Sequence, residues 1–123
     1  MKDPALLPYP TLPRVPTDGQ LTWLPAHRIA SMIRQRVVSP VEVAEHFLAR
    51  IDAHNPQLNA FASVDHEAVL TQARAAEQAV FDGTPLGPLH GIPVATKLPL
   101  AIKGMPWSDL TAGKLVIAER DSV

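Results

Sequence analysis

This chain of 123 residues contains no cysteine. That excludes disulfide frameworks, thiolate zinc sites and cysteine nucleophiles together. Aromatic residues are scarce at 5%, so a core has to rest on Ala, Val, Leu and Ile. Neither sign of charge dominates: 11 Lys plus Arg stand against 12 Asp plus Glu, a formal net charge of −1. Such a balance leaves no electrostatic footprint for nucleic acid or an anionic membrane. No run approaches the ~18 apolar residues of a membrane span, and the N-terminus shows no basic region followed by an apolar stretch. The default expectation is a soluble, cytoplasmic protein. Among the 6 glycines, Gly83, Gly87 and Gly91 recur every fourth residue, unlike a dinucleotide or P-loop fingerprint. No Gly-x-Ser-x-Gly elbow occurs either.

Hydrophobic residues reach 46%, which suits one globular domain with a modest core; the length is too short for two ordinary ones. Proline is abundant, with 13 in all. Pro4, Pro8, Pro10, Pro13, Pro16 and Pro25 crowd the N-terminal end. Each removes a backbone donor and pushes its predecessor toward extended conformations. Residues 1–24 are therefore expected to be an arm without regular elements. Pro10-Thr11-Leu12-Pro13 fits a polyproline II ligand pattern, but compositional chance is the plainer account.

Beyond the arm the periodicity becomes helical. Ile29, Met32 and Ile33 fall at i, i+3 and i+4 over residues 26–36, with Arg28, Arg34 and Gln35 opposite and His27 at the surface. Ser39-Pro40-Val41-Glu42 is a capping box with proline at the first helical position. The helix it opens carries Val41, Ala44, Phe47, Leu48 and Ile51 as an apolar stripe, and His54-Asn55-Pro56 is its expected stop. Asn59–Val64 reads as a short strand. Asp65 can cap a third helix over 66–82, with Val69, Ala73, Ala76 and Val80 on one side and Gly83 at its end. Stripes of this kind usually form core. Leu115-Val116-Ile117 fits a strand or a helix start, and Asp121-Ser122-Val123 resembles an N-cap with no helix after it in these residues.

The chemistry has few candidates. His27, His46, His54, His66 and His90 include no pair at the spacing of a helical zinc motif, so no metal site is expected. His90 suits a structural hydrogen bond better than a base. The most constrained stretch is Gly87-Pro88-Leu89-His90-Gly91-Ile92-Pro93-Val94-Ala95-Thr96-Lys97. Its glycines and prolines restrict the approach, and the β-prone run Ile92–Thr96 delivers Lys97. A lysine near low-dielectric surroundings is disfavoured as an ammonium, and its amine can then serve as a general base. The plain alternative is a lysine that ends a strand and snorkels to solvent. The residues alone leave the two open.

At three stretches the chain resembles the amidase signature family. They are Ile33-Arg34 through Val38-Ser39-Pro40-Val41-Glu42 to Ala49-Arg50-Ile51, then Asn55-Pro56-Gln57-Leu58-Asn59-Ala60-Phe61, then Gly87–Lys97. Gly104-Met105-Pro106 and Arg120-Asp121-Ser122-Val123 continue the match. The resemblance implies an α/β fold: N-terminal helices and the first strands of an incomplete α/β/α mixed-sheet domain over residues 25–123. It implies amide hydrolysis or acyl transfer through a Ser-cisSer-Lys group, with Lys97 as the base and no metal or organic cofactor. A small-molecule amide is the implied substrate and a homodimer the implied partner state, with no nucleic acid or membrane. Two departures stand out. Leu98 follows the lysine where the family usually has an acidic residue, and the Gly/Ser-rich segment that carries both serines and the oxyanion hole is absent from these residues. Ser108 and Ser122 lack its glycine context. A fragment inactive by itself is the expectation, and a non-catalytic interaction or dimerisation module derived from an amidase is its rival.

Overall fold

The computed structural model describes residues 21–108 and 116–122. The arm up to residue 20, with its Pro10–Pro13 pattern, lies outside them, as do Leu115 and Val123. The described residues form two compact units: 21–60 with 65–93, and 61–64 with 94–108 and 116–122.

The first unit is helical. A 3-10 turn at Leu21–Trp23 opens it, where a segment without regular structure was expected. No proline occurs between residues 17 and 24, so the Leu24 N–H is free to bond the Leu21 carbonyl at 3.3 Å. Helix α1, Ala26–Arg34, buries Ile29, Ala30, Ser31, Met32 and Ile33. It ends in a Schellman motif: Arg36 N–H donates to Ile33 O and Val37 N–H to Met32 O, both at 2.9 Å, around a left-handed Arg36 at φ 57°. That conformation is costly for a non-glycine residue. Here the guanidinium reaches the Val80 carbonyl at 3.1 Å and lies 5.3 Å from the centre of the Phe81 ring, and these contacts help hold it.

Helix α2 spans Pro40–Leu58, with Ser39 accepting from the Glu42 N–H and the Glu42 carboxylate accepting from the Ser39 N–H. The expected capping box is present. The expected stop is not. Pro56 lies inside the last turn, and the chain leaves the helix at Asn59, left-handed at φ 50°, whose N–H donates to Asn55 O at 2.7 Å. Proline forfeits its own N–H but does not prevent later residues from closing their bonds, and asparagine tolerates the left-handed turn. The buried face also sits slightly off the expected stripe. Val43 is fully buried beside Ala44 and Leu48, whereas Val41, Phe47 and Ile51 are half-buried.

No strand forms over Asn59–Val64. A six-residue β-prone run needs a ladder partner, and among the described residues none pairs with it. Helix α3, His66–Phe81, follows with Asp65 accepting from the Ala68 N–H. Gly83, left-handed at φ 67°, ends it, as expected. Helices α2 and α3 pack together, and His66 Nε2 donates to the Asp52 carboxylate at 2.9 Å across them. The core joins Leu21, Ile29, Met32, Ile33, Val38, Val43 and Val80, with Phe47, Leu86 and Ile92 packed against it.

The second unit holds an antiparallel pair, β1 at Pro106–Trp107 and β2 at Val116–Ile117, with Pro106 opposite Ile117. Proline can donate nothing to a ladder, which suits so short a ribbon. Gly104 N–H donates to Ala118 O at 2.8 Å and Ala118 N–H to Met105 O at 3.0 Å. Asp121 and Ser122 do not cap a helix in the described residues. The Asp121 carboxylate accepts from the Lys103 N–H at 2.8 Å, and Ser122 Oγ accepts from the Ala101 N–H at 2.7 Å.

Candidate functional site

The segment Gly87–Lys97 begins in the first unit as a tight double turn. His90 N–H donates to Gly87 O at 3.2 Å and Ile92 N–H to Leu89 O at 3.1 Å. Gly91 is left-handed at φ 77°, and a Cβ on it would come within 3.0 Å of Ile33 Cδ1 and Pro40 Cγ. The second glycine of the motif is therefore required twice, by the backbone and by its flush contact with the end of α1 and the start of α2. His90 is a structural hydrogen bonder, as its setting suggests: Nε2 donates to the Ala76 carbonyl of α3 at 2.8 Å. A carbonyl can only accept, so the proton sits on Nε2. Arg34 donates to both Gly87 O and Pro88 O at 3.3 Å. The helical period alone places Arg34 on a solvated face. Its acceptors lie more than fifty residues downstream, and no spacing rule reaches that far.

Lys97 belongs to the second unit. Residues 92–97 form no ladder, so the strand expected to deliver the lysine is an irregular segment. Pro93 through Lys97 are exposed, and Val94 is 75% exposed. The low-dielectric surroundings expected for the lysine are accordingly not present in this structure; only pairing and packing on both sides would bury such a run. The backbone around it is nonetheless held. Lys97 O accepts from the Leu100 N–H at 2.8 Å, and Leu98 O accepts from the Ser108 N–H at 3.2 Å. Trp107 Nε1 donates to Pro99 O at 3.0 Å.

Three of the serine hydroxyls have structural duties. Ser31 Oγ, on buried α1, accepts from Gln35 Nε2 at 3.0 Å. Ser39 Oγ caps α2, and Ser122 Oγ accepts a backbone N–H. Ser108 is buried at 7% exposure, with its backbone beside Leu98. Among the described residues no three His, Asp or Glu side chains gather in a group able to hold a metal ion. No helix among them is long and apolar enough to cross a membrane.

A family model described as Amidase matches residues 42–121. The chain is 33% identical over 112 residues to an acylamidase of Rhodococcus erythropolis, across 85% of this chain and 24% of that protein. It is 41% identical over 98 residues to a glutamyl-tRNA(Gln) amidotransferase subunit of Salinispora arenicola, across 80% and 19% respectively. The crystal structure of a bacterial aryl acylamidase of the amidase signature family aligns with a TM-score of 0.64 at 30% identity, covering 69% of this chain and 18% of that one. The chain thus spans about a quarter or less of the length of these relatives.

Proposed function

This chain belongs to the amidase signature family, whose members cleave amide bonds, and from that premise we propose that Lys97 is the general base of a serine-dependent amide hydrolase to which these residues contribute the N-terminal part. The observation that carries the reading is the segment Gly87–Lys97, the most specific stretch of the resemblance, which lies within the matched region 42–121. Residues 25–123 are the amidase portion in this reading, and 1–24 an arm preceding it.

The proposed chemistry follows from what an amine can do beside hydroxyls. As a general base the Lys97 amine takes a proton from a bridging serine, which takes one from the nucleophilic serine. The resulting oxygen attacks the amide carbonyl, backbone N–H groups stabilise the oxyanion, and the amine leaves with a returned proton. Water then cleaves the acyl-enzyme. Ser31, Ser39 and Ser122 already use their oxygens to hold structure. In this reading the two serines of the scheme belong to the Gly/Ser-rich segment that these residues do not contain. The neighbouring Leu98 supplies no carboxylate to orient the lysine. The acylamidase relatives point to an acylated amine as the substrate, and the amidotransferase relatives, being subunits of a larger enzyme, make a second polypeptide a reasonable partner.

Ammonia release from simple amides tests this. Residues 1–123 alone release none. In a chain that also carries the Gly/Ser-rich segment, Lys97→Ala lowers the rate by about 10²–10⁴, the usual span for loss of a general base. Activity that survives Lys97→Ala sinks the assignment. The rival reading, a non-catalytic interaction or dimerisation module, draws on exposed apolar side chains such as Trp23 at 81% and Leu58 at 71%. A well-behaved homodimer of residues 1–123 in sedimentation would favour it.

A further inference from the structure

We propose that Arg34 and His90 are positioning residues, a polar clamp that fixes the turn 87–92 on the helical unit and so sets the point from which the chain runs to Lys97. Its catalytic consequence rests on the reading of Lys97 as the base. The clamp itself stands on geometry alone.

Apolar burial does little to hold this turn. Leu89 is 54% exposed, and among residues 87–92 Ile92 is the hydrophobic side chain that packs against the core. What fastens it is contact with three helices. Arg34, the last residue of α1, donates from one guanidinium nitrogen, Nη1, to two successive carbonyls, Gly87 O and Pro88 O, at 3.3 Å each. A terminal guanidinium nitrogen carries two N–H donors, enough for both acceptors. From α3, the Ala76 carbonyl accepts the His90 Nε2 proton at 2.8 Å, using the lone pair that a helical carbonyl has to spare. At the junction of α1 and α2, Ile33 and Pro40 leave room for Gly91 and for nothing larger.

Position here matters because residues 93–96 are exposed and have no ladder partner among the described residues. Lys97 lies four residues beyond Pro93, and covalent geometry limits that reach to about 14 Å. A fixed origin narrows the volume that the amine samples. A general base depends on such narrowing, since small misplacements lower rates steeply.

Hydrogen exchange on the 123-residue chain tests the clamp without requiring activity. In the wild type the amides of His90 and Ile92 exchange at least about tenfold more slowly than in an unstructured peptide, because an internally bonded amide must open before it exchanges. Arg34→Met and His90→Leu each remove that protection, while α2 and α3 keep theirs. His90→Gln retains most of it, because its side-chain N–H can donate to the same carbonyl. In the wild type, ¹⁵N NMR finds the His90 proton on Nε2. Three outcomes overturn the proposal: unprotected amides at 90 and 92 in the wild type, a His90 proton on Nδ1 alone, or unchanged protection in both Arg34→Met and His90→Leu. Should a substituted chain unfold, the wild-type protection and tautomer decide. None of these readouts involves Lys97 chemistry, so failure of the base assignment and failure of the clamp are told apart.

Discussion

Residues in the left-handed region show how unequal two glycines can be. Gly83 and Gly91 both have positive φ, at 67° and 77°, yet a Cβ at Gly83 meets nothing within 4 Å while one at Gly91 meets Ile33 and Pro40 at 3.0 Å. Gly83→Ala should therefore cost only the backbone strain, about 1 kcal/mol. Gly91→Ala adds overpacking against a proline ring at a helix start, for a total of about 2–4 kcal/mol. Thermal melts of the two variants check this ordering, and equal losses would refute it. Gly83 was legible in the sequence as a helix stop, because glycine after an apolar period is a local signal. Arg36 was not. It takes the same left-handed place after α1, held in part by the Val80 carbonyl 44 positions away, and no window of sequence contains both partners.

Elements were legible where their causes are local. The α2 start needs only Ser39, Pro40 and Glu42, which are adjacent. Both reciprocal hydrogen bonds form, at 3.0 Å from the Glu42 N–H and 2.7 Å to its carboxylate. Ser39→Ala should lower stability by about 1 kcal/mol, read as a shift of the urea midpoint with an unchanged slope. A loss below a few tenths would mean that Pro40 and packing alone set the start. Strands were less legible. Asn59–Val64 and Ile92–Thr96 carry β-prone residues without a ladder, while Val116–Ile117 pairs with Pro106–Trp107. Propensity describes a residue's fit to a pleated surface, and a strand exists only when a partner is there. The end of α2 at Asn59 rather than at Pro56 belongs with these, since proline weakens a last turn without forbidding it.

For the whole molecule, the decisive feature is how much apolar surface stays uncovered. Val94 is 75% exposed and Ile117 61%, with Trp23, Leu58, Phe81 and Leu89 all above half. Exposed apolar surface promotes association, and a net charge of −1 opposes it weakly. The purified chain should bind a hydrophobic dye and self-associate as its concentration rises. Val94→Thr with Ile117→Lys should reduce both, without lowering the melting temperature by more than a few degrees. Dye binding unchanged in that double variant would place the adhesive surface elsewhere.

The sequence by itself determined the helical periods, the caps at Ser39 and Asp65, and the motif by which the family is recognised, because each depends on residues within a few positions of one another. Tertiary structure alone decided that Arg34 and His90 grip the same turn, that Gly91 is walled by Ile33 and Pro40, and that Lys97 stands exposed. Those outcomes depend on contacts between residues far apart in the chain, and burial is a property of what packs alongside a segment. Lys97 shows the division plainly: its motif names the family, and its environment is set by the chain around it.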